Sequence, residues 1–536
     1  MRSVTLTRRT LLTSSGTSLA LPAILRSARA ATPANMVVMA KTIKDIVNGF
    51  DPAESYEASN NEVCGNCYRK LVAPDPDQPR RIVGDMAERW DVSPDGRTLT
   101  FHVRSGVLFD SGNRLTADDV VFSLRRIVQL RKFSAFLLTQ FGLTRDNMEQ
   151  CIRAEGDDTV VLSLPEVWST DLVLRCLAHT IGCIVEKRVA LANQAGDDLG
   201  NGWLRTHTAG AGRYRLKSWQ ASDHIVLEAN PYAAPRPALP RVVIRHMDEP
   251  SARLLSLMAG DVDIARILGA DELRLIGDNP DYGIASAKQI LSMYLGMNEA
   301  LPPFTHPEVR QAVKLAIDYD AIAKHLTPGL WSVCQSFLPL GMPGAIAANP
   351  FKQDVARAKQ LMMQAGFGEG FSVTLDHVAA EPFRSIAQAI QANLAAIGIK
   401  AQPLGAAVQQ LTTKTRTRHH EMALVTRVPD YVDPHTNAQA FCFNADDSDN
   451  SSIRMHAWRN HFVDPELTDA VTAAAKELDP AARMRLYETM QAQFMERSPC
   501  AMLLQQTEVA GLRKGVSGLR IGVIPDYTSY GAIVKA

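Results

Sequence analysis

Residues 84–128 constrain the fold most, because turn, strand and helix signals follow one another there without conflict. Ser93-Pro94-Asp95-Gly96 is typical of a tight turn. Residues 98–104 then alternate between polar and apolar side chains, which predicts a strand with one buried face. Thr116, with Asp119 three positions later, predicts a capping box at the start of a helix. The stretch therefore predicts a hairpin strand followed by an amphipathic helix.

Motifs in this stretch resemble those of the family 5 extracellular solute-binding proteins of the peptide- and nickel-binding type. Residues 87–90 read A-E-R-W, residues 101–109 match F-x-x-R-x-G-V-x-F, and residues 116–124 read T-A-D-D-V-V-F-S-L, in the family's order. Further motifs of the family lie at residues 302–312 and 358–366. The resemblance covers most of residues 36–510 and becomes thin at 131–200 and after Phe443.

The resemblance implies an α/β, two-lobed periplasmic binding protein fold of type II with an extra subdomain. We expect lobe I at residues 31–290, with an inserted subdomain at about 75–205. Lobe II would occupy residues 291–504, and residues 505–536 would return to lobe I. A chain of 536 residues fits this plan, because single cores stop growing at about 250–300 residues. The ligand would bind in the cleft and close it through a hinge.

Residues 1–30 carry the signals of export. Arg8-Arg9 forms a twin-arginine pattern, and Ala28-Arg29-Ala30 is an A-x-A cleavage site. A membrane anchor is the alternative, but polar residues and Pro22 interrupt an apolar segment already short of the roughly 20 residues that a spanning helix needs. The sequence thus predicts a twin-arginine signal peptide and a protein that is soluble in the periplasm after cleavage.

Charge argues against a nucleic-acid partner. Lys plus Arg and Asp plus Glu number 57 each, and five arginines but no acids lie in residues 1–30. The remaining chain therefore has 52 basic and 57 acidic residues, without the basic excess of a nucleic-acid-binding surface. The mature protein is expected to be mildly acidic.

Motifs of catalysis are missing from the sequence. H-E-x-x-H, G-x-S-x-G and the phosphate-loop G-K-[ST] do not occur. The pair His419-His420 is more typical of a solvated loop than of a metal site. We therefore predict no enzyme, no cofactor and no metal, although a hydrolase whose residues converge only in space stays an alternative.

Two of the eight cysteines form a CxxC motif, Cys64-Gly65-Asn66-Cys67. They fall on the apolar stripe of a predicted helix, so both should face inward. A zinc site would need two more ligands at matching spacing, and a thioredoxin-like site would need a strand directly before the motif. Buried thiols or a local disulfide are the favoured interpretation. An even number of cysteines in an oxidising compartment also favours some disulfides among the eight.

Arg384 is the first candidate ligand contact. It lies in the first turn of a predicted helix, after Pro382 and off the apolar stripe formed by Ile386, Ile390 and Leu394. The helix dipole disfavours a cation there, so helix stability does not explain it. Free amides plus a guanidinium would form a carboxylate site. The position also resembles that of the arginine that holds a peptide's carboxylate in dipeptide-binding relatives, although a solvated arginine is the alternative.

Asp430 is the second candidate. It lies in residues 427–434, RVPDYVDP, which resemble the family's cleft-lining A-D-Y-x-x-P segment. The resemblance implies that Asp430 binds the α-ammonium group of a peptide, with Arg427 and Tyr431 in the same cleft. Asp433 is a weaker candidate because Asp-Pro often only shapes a turn. A role confined to the turn is also the alternative for Asp430.

The resemblance implies the periplasmic substrate-binding component of an ABC importer. Such a protein would capture a small peptide or peptide-like solute and deliver it to an inner-membrane permease, as a monomer. Family members also carry nickel complexes, haem or opine-like compounds, so the sequence leaves the ligand open. A periplasmic hydrolase and a peptide-holding chaperone are the alternatives from other classes.

Overall fold

A computed structural model describes residues 32–75 and 78–536. The predicted twin-arginine signal, residues 1–30, lies outside the described residues. Within them, every helix is too short or too polar to cross a lipid bilayer.

One mixed sheet of eleven strands runs through the molecule. In spatial order, ten of its strands are Ile399–Ala406, Phe371–Val378, Met422–Arg427, Tyr282–Met297, Cys500–Arg513, Ile264–Arg266, Met36–Lys41, Arg241–His246, His224–Ala229 and Tyr214–Gln220. The eleventh, Trp331–Val333, pairs with Cys500–Arg513. Parallel pairs in both halves of the sheet and helices packed beside it make this an α/β fold.

Two long antiparallel strands, Tyr282–Met297 and Cys500–Arg513, form the centre of the sheet, and we call them the hinge strands. One end of the pair bonds to Ile264–Arg266 and the other end to Met422–Arg427, so the two strands serve both lobes. Their register shifts between Lys288 and Ser292. The predicted lobe boundaries near residues 290 and 505 fall at this shift, although the boundaries themselves stay predictions.

The buried side chain of Gln505 ties this crossing together. Its Nε2 donates to the carbonyl of Gln289 at 2.8 Å and to that of Leu340 at 2.6 Å. Its Oε1 accepts from the amide of Leu340 at 3.0 Å. Because every polar atom of the amide is bonded, the glutamine can lie in the centre of the sheet without an unsatisfied group.

Three smaller sheets lie outside the main one. The residues 84–128 contribute to a four-stranded sheet in which Leu99, Phe101 and Val103 are buried, which confirms the predicted hairpin and its buried face. The strands of the smaller sheets are Ala87–Val92, Thr98–Val103, Thr159–Ser163 and Ile152–Ala154, then Val72–Pro74 with Ile82–Gly84, and Val516–Ser517 with Val534–Lys535. The four-stranded sheet falls within the subdomain predicted at about 75–205.

The helix Ala117–Leu130 begins where the sequence predicts. The amide of Thr116 donates to the Asp119 carboxylate at 3.0 Å, as the capping box requires. The other helices of six residues or more are Ala58–Cys67, Thr170–Leu177, Lys187–Ala192, Pro250–Ala259, Ala270–Ile276, Pro307–Ala316, Val355–Gln364, Phe383–Ala395, Val408–Arg416, Pro434–Cys442, Pro465–Lys476 and Pro480–Arg497. Shorter helices are Phe136–Thr139, Met148–Cys151, Asn201–Leu204, Pro302–Thr305, Tyr319–Ala321 and His456–Arg459.

The CxxC cysteines face inward. Cys64 and Cys67 are buried, and Gly210 and Gly212 pack so closely on the backbone of Cys67 that a Cβ at either glycine would lie 2.2 or 2.3 Å from it. Both thiols are free, as are the other six cysteines. The expectation of disulfides is therefore not met in this structure, where the buried cysteines are distributed over separate hydrophobic cores.

Each lobe has its own hydrophobic core. The first-lobe core contains Val37, Ile225 and Ile264, and the second-lobe core contains Leu295, Leu375, Ile386 and Leu424. The helix Phe383–Ala395 places its predicted apolar stripe in the second core. A proline at position 382 suits the first position of a helix, and the sequence predicts it there, but Pro382 is the N-cap and the helix begins one residue later, at Phe383. Two cores joined through the hinge strands give the predicted two-lobed fold.

Candidate ligand-binding cleft

A cavity of about 650 Å³ lies between the lobes. The first lobe contributes Tyr56, Phe133, Phe136 and Gln140. The second lobe contributes the larger share, chiefly from Met422–Arg427, Val408–Arg416 and residues 452–460. The volume falls in the range of about 300–1,000 Å³ that small-molecule sites occupy. It is therefore the candidate ligand site.

The first-lobe wall of the cavity is aromatic. Tyr56 and Phe133 meet edge to face, with ring centroids 4.6 Å apart, and Phe133 meets Phe136 at 6.1 Å. Phe133 is nevertheless 67% exposed, an unusual state for so large an apolar side chain. The residues that line this wall carry no formal charge. This wall offers a ligand an apolar surface of aromatic rings, whose edges are weakly positive.

Asp430 joins the two lobes. Its Oδ1 accepts a hydrogen bond from the Tyr56 hydroxyl of the first lobe at 2.6 Å. Its Oδ2 accepts from the Arg427 guanidinium and from the Thr436 hydroxyl, the latter at 3.2 Å. Burial raises the pKa of the Asp430 carboxyl, but Arg427 and the hydrogen bonds outweigh burial and hold that pKa below its usual value. Asp430 is thus an ionised carboxylate whose charge Arg427 already balances.

Three further arginines line the second-lobe wall. Arg416 is exposed to the cavity and has no hydrogen bond or ion pair with any described residue. Arg459 is half-buried and donates only from Nε, to the carbonyl of Arg454 at 3.2 Å. Arg454 donates to the carbonyl of Ser451 and lies 5.3 Å from the ring centroid of Trp458. The wall therefore presents guanidinium groups with open donor positions.

Neutral polar groups lie beside these arginines. The hydroxyl of Tyr294 and Nδ1 of His456 are 2.6 Å apart, and both residues line the cavity. Burial, followed by the charges of Arg459, Arg427 and Arg416, lowers the pKa of His456 well below its usual value. The imidazole is therefore neutral at neutral pH and adds no charge to the wall.

His420 corrects the interpretation of the His419-His420 pair. His419 is exposed, but His420 is buried, lines the cavity and bonds through Nε2 to Oδ1 of Asn460 at 3.1 Å. The strand Met422–Arg427 starts two residues later and carries His420 inward, so a solvated loop describes only the first histidine. Among residues 32–75 and 78–536, no three histidine, cysteine or acidic side chains group as metal ligands.

Arg384 and Tyr431 lie away from the cavity lining. Arg384 is exposed, and its guanidinium donates to the carbonyl of Ala379 at 3.0 Å. The neighbouring helix start already holds a carboxylate, because Glu381 accepts from the hydroxyl of Ser385 at 2.7 Å. Tyr431 is buried in the hydrophobic core of the inserted sheet and helices. Of the predicted contacts, the structure brings Asp430 and Arg427 together and leaves the other two elsewhere.

Asp433 belongs to a second contact between the lobes, which we call the latch. Its carboxylate caps the helix Pro434–Cys442 and accepts two hydrogen bonds from Arg483, at 2.6 and 2.9 Å. Arg175 lies 3.6 Å from Asp433 and 2.9 Å from Asp171. Asp433 and Arg483 are fully buried. The turn interpretation of Asp433 therefore holds, with a buried ion-pair network added.

The sequence did not single out Tyr56, Arg416 or Arg459. Tyr56 is hundreds of residues away from the other two in the sequence, and Arg416 and Arg459 lie on separate helices. No local sequence pattern therefore joins the three residues. Composition offered one signal: residues 414–420, KTRTRHH, and residues 454–459, RMHAWR, are both rich in basic side chains and lack acids. These two segments lie before and after the strand Met422–Arg427 in the sequence, and together they indicate a cationic wall.

Comparison with known proteins agrees with this architecture. The model of the bacterial extracellular solute-binding proteins, family 5, matches residues 81–449. The probable D,D-dipeptide-binding periplasmic protein DdpA of Escherichia coli K12 is 26% identical over 497 residues, which is 92% of each chain. The glutathione-binding protein GsiB of Pectobacterium atrosepticum is 24% identical and covers 89% of this chain and 90% of its own.

Among solved structures, the periplasmic binding protein DppA of Helicobacter pylori, in complex with the peptide STSA, has a TM-score of 0.74. It is 24% identical and covers 93% of this chain and 98% of its own, which shows a shared fold. These relatives and the neighbour are named as binding proteins. Because the family match spans well over half of the 536 residues, the chain belongs to the family 5 bacterial extracellular solute-binding proteins.

Proposed function

We propose that this protein captures a small peptide or peptide-like solute in the interlobe cavity and delivers it, as a monomer, to the permease of an ABC importer. The observation that carries the proposal is the hydrogen bond from Tyr56 to Asp430, which spans the cavity from one lobe to the other. A solute enclosed beside this bond would contact both lobes at once. Solute binding and lobe closure are thereby coupled.

The relatives support a peptide-like solute. DdpA is named for D,D-dipeptides, GsiB for glutathione, and the DppA neighbour contains a tetrapeptide. The cavity of about 650 Å³ is large enough for a solute of this size. Asp430 and Arg427 would act there as a pre-formed pair rather than as two separate charges. Neither Arg384 nor Tyr431 lines the cavity in this structure. Their contact with the ligand stays a prediction from the sequence.

Binding without turnover is part of the proposal. The relatives named above are binding proteins, and the two buried histidines of the cavity bond to Tyr294 and Asn460. Native mass spectrometry of the protein purified from its periplasm should find a bound peptide-sized molecule. Calorimetry with a di- and tripeptide library should then give saturable one-to-one binding, with unchanged peptide recovered afterwards. Cleaved peptide would favour a hydrolase, and binding only of unfolded chains would favour a chaperone.

Export through the twin-arginine route is a separate proposal, which rests on Arg8-Arg9. That route carries folded chains, so the lobes would form before export. Replacing both arginines by lysine should leave the precursor in the cytoplasm, as followed by cell fractionation and immunoblotting. Normal amounts of the Lys-Lys variant in the periplasm would assign export to the general secretory route.

A further inference from the structure

The cavity has an unbalanced charge. Arg416, Arg427, Arg454 and Arg459 line it, and Asp430 is the one carboxylate among the lining residues in the part of the chain that the structure describes. Asp430 is ion-paired with Arg427 inside the protein. Three guanidinium groups of the lining therefore have no carboxylate within the cavity to balance them. A ligand site with this arrangement favours negative charge, because uncompensated arginines raise the potential inside a partly enclosed cleft.

Two of these arginines are also short of hydrogen-bond acceptors. Arg416 has no polar partner among the described residues, and Arg459 has one, the carbonyl of Arg454. Burial, and then the neighbouring charges of Arg416 and Arg427, lower the pKa of Arg459. The charge of Arg416 thus acts unfavourably on Arg459, and Asp430, the carboxylate that lines the same cavity, is already paired with Arg427. Guanidinium groups in this situation bind carboxylate or phosphate oxygens, in bidentate geometry where the approach allows.

The rest of the rim is apolar. Phe133, Val408 and Val428 all line the cavity and are 67%, 56% and 47% exposed. Each is more exposed than is usual for its residue type, and all three line the same cavity. Exposed apolar side chains grouped at a cleft mark a surface that a ligand covers. The cavity is therefore cationic on the second-lobe wall and apolar at its rim and first-lobe wall.

We infer that the solute is an amphipathic anion: an oxyanion held by Arg416 and Arg459, joined to an apolar group that packs on Phe133. This inference rests on the proposed function and narrows it. It also replaces the sequence-based expectation of an ammonium group at Asp430, whose charge Arg427 already balances. A carboxylate and a phosphate ester offer the same chemistry to the two guanidinium groups, so both belong to the class.

Calorimetry with matched dipeptides tests the inference. Phe-Glu carries two carboxylates, Phe-Gln carries one, and the C-terminal amide of Phe-Gln carries none. We expect the affinity to fall at each step by about 10-fold or more, because a hydrogen bond to a charged group contributes roughly 1.5–3 kcal/mol. Phe-phosphoserine against Phe-Ser distinguishes phosphate from carboxylate, and Ala-Glu against Phe-Glu reports the apolar contact. Equal affinities for Phe-Glu and the amide would overturn the inference.

Variants of the two cavity arginines test where the oxyanion of the ligand binds. Arg416→Gln and Arg459→Gln should each weaken Phe-Glu binding by about 10- to 150-fold and leave the Phe-Gln amide unaffected. Arg384→Gln is the matched control, because Arg384 is exposed and outside the cavity lining. Loss of binding in that control, with normal binding in the other two, would overturn the inference in favour of Arg384. If tight binding is independent of ligand charge, the inference fails and the proposed function stands. If no peptide binds, the proposed function fails as well.

Discussion

Two of the contacts between the lobes, the cavity and the latch, use the same residue types in opposite ways. In the latch, Asp433 accepts two hydrogen bonds from Arg483, and Arg175 bonds to Asp171, so every charge has a partner within the protein. In the cavity, Arg416 has no such partner within residues 32–75 and 78–536. Residues 427–433 supply both contacts, since Asp430 faces the cavity and Asp433 faces the latch. Only Tyr431 and Val432 thus separate a structural carboxylate from one in a ligand site.

The comparison shows that partners, rather than residue type, distinguish the two roles. A buried charge that the protein pairs completely has nothing left to offer a ligand, and breaking the pair destabilises the fold. A guanidinium with open donor positions contributes little to folding and is available to bind an anion. Changes in the latch should therefore appear as lost stability, and changes in the cavity as lost affinity.

The largest effect should come from the latch carboxylate. Asp433→Asn leaves Arg483 buried without its bidentate partner, which costs about 3–5 kcal/mol of unfolding free energy. Urea denaturation followed by circular dichroism measures the loss. Asp320→Asn is the control, because its pair with Lys352 is about two-thirds exposed at both ends and contributes at most about 1 kcal/mol. Equal losses in both variants would remove the distinction between the latch and an ordinary surface pair.

Acidic pH should lower the free energy of unfolding through a histidine in the same region. Burial, outweighing Asp433 and aided by Arg483, lowers the pKa of His435 to about 4. Above about pH 6.5 the imidazole is neutral in both the folded and the unfolded state, and its full contribution to stability is present. Between pH 6.5 and 4 the unfolded state binds the extra proton, so stability falls as pH falls, by about 3 kcal/mol in total.

Denaturation midpoints measured across pH 4–8 test this dependence. His435→Gln removes one titrating group, so its stability should fall less steeply over the same interval than that of the parent protein. His224→Gln is the control, since His224 is at the surface and pairs with the exposed Asp223. The same slope in the parent and in His435→Gln would contradict the expectation.

The smallest effect should come from the cavity. Tyr56→Phe removes the hydroxyl that bonds to Asp430 across the cavity and should lower solute affinity by about 0.5–1.5 kcal/mol, or roughly 2- to 12-fold. Unfolding should change little, because Arg427 and Thr436 still bond to Oδ2 of Asp430, and Oδ1 is left on the side chain that lines the cavity. Calorimetry of the bound peptide measures the loss, and Tyr232→Phe, at an exposed site, is the control. A melting temperature that falls with the affinity would make this bond part of the fold rather than of the site.

Local patterns predicted the fold well. The hairpin with Leu99 and Phe101, the capping box at Thr116, and the stripe of Ile386 and Ile390 all depend on residues within one or two turns of each other. Such contacts follow from the periodicity of strand and helix, so a single sequence contains them. The family motifs then supplied the order of elements, which periodicity alone does not give.

The site could be predicted only in part, because its chemistry depends on distant partners. The sequence marks Asp430 as a carboxylate, but only the fold places Arg427 and Tyr56 on its two oxygens. Arg384 looked suitable as a free cation at a helix start, and the fold turns it onto the carbonyl of Ala379. Arg416 looked like any solvated arginine. Whether a charge is free or paired is a property of tertiary structure.

The hinge strands also determine where the chain passes from one lobe to the other, and therefore where it can be divided into two segments. Ser292 and Gln505 are register partners on the antiparallel ladder, so the chain enters and leaves the second-lobe part of the sheet at the same level of the ladder. The two ends of the segment between them are side by side, at a separation that a short turn can bridge. The predicted second lobe, residues 291–504, carries Arg416, Asp430 and Arg459, while Tyr56 and Phe133 belong to the predicted first lobe. Recombining such segments from different relatives would exchange one wall of the cavity and keep the other.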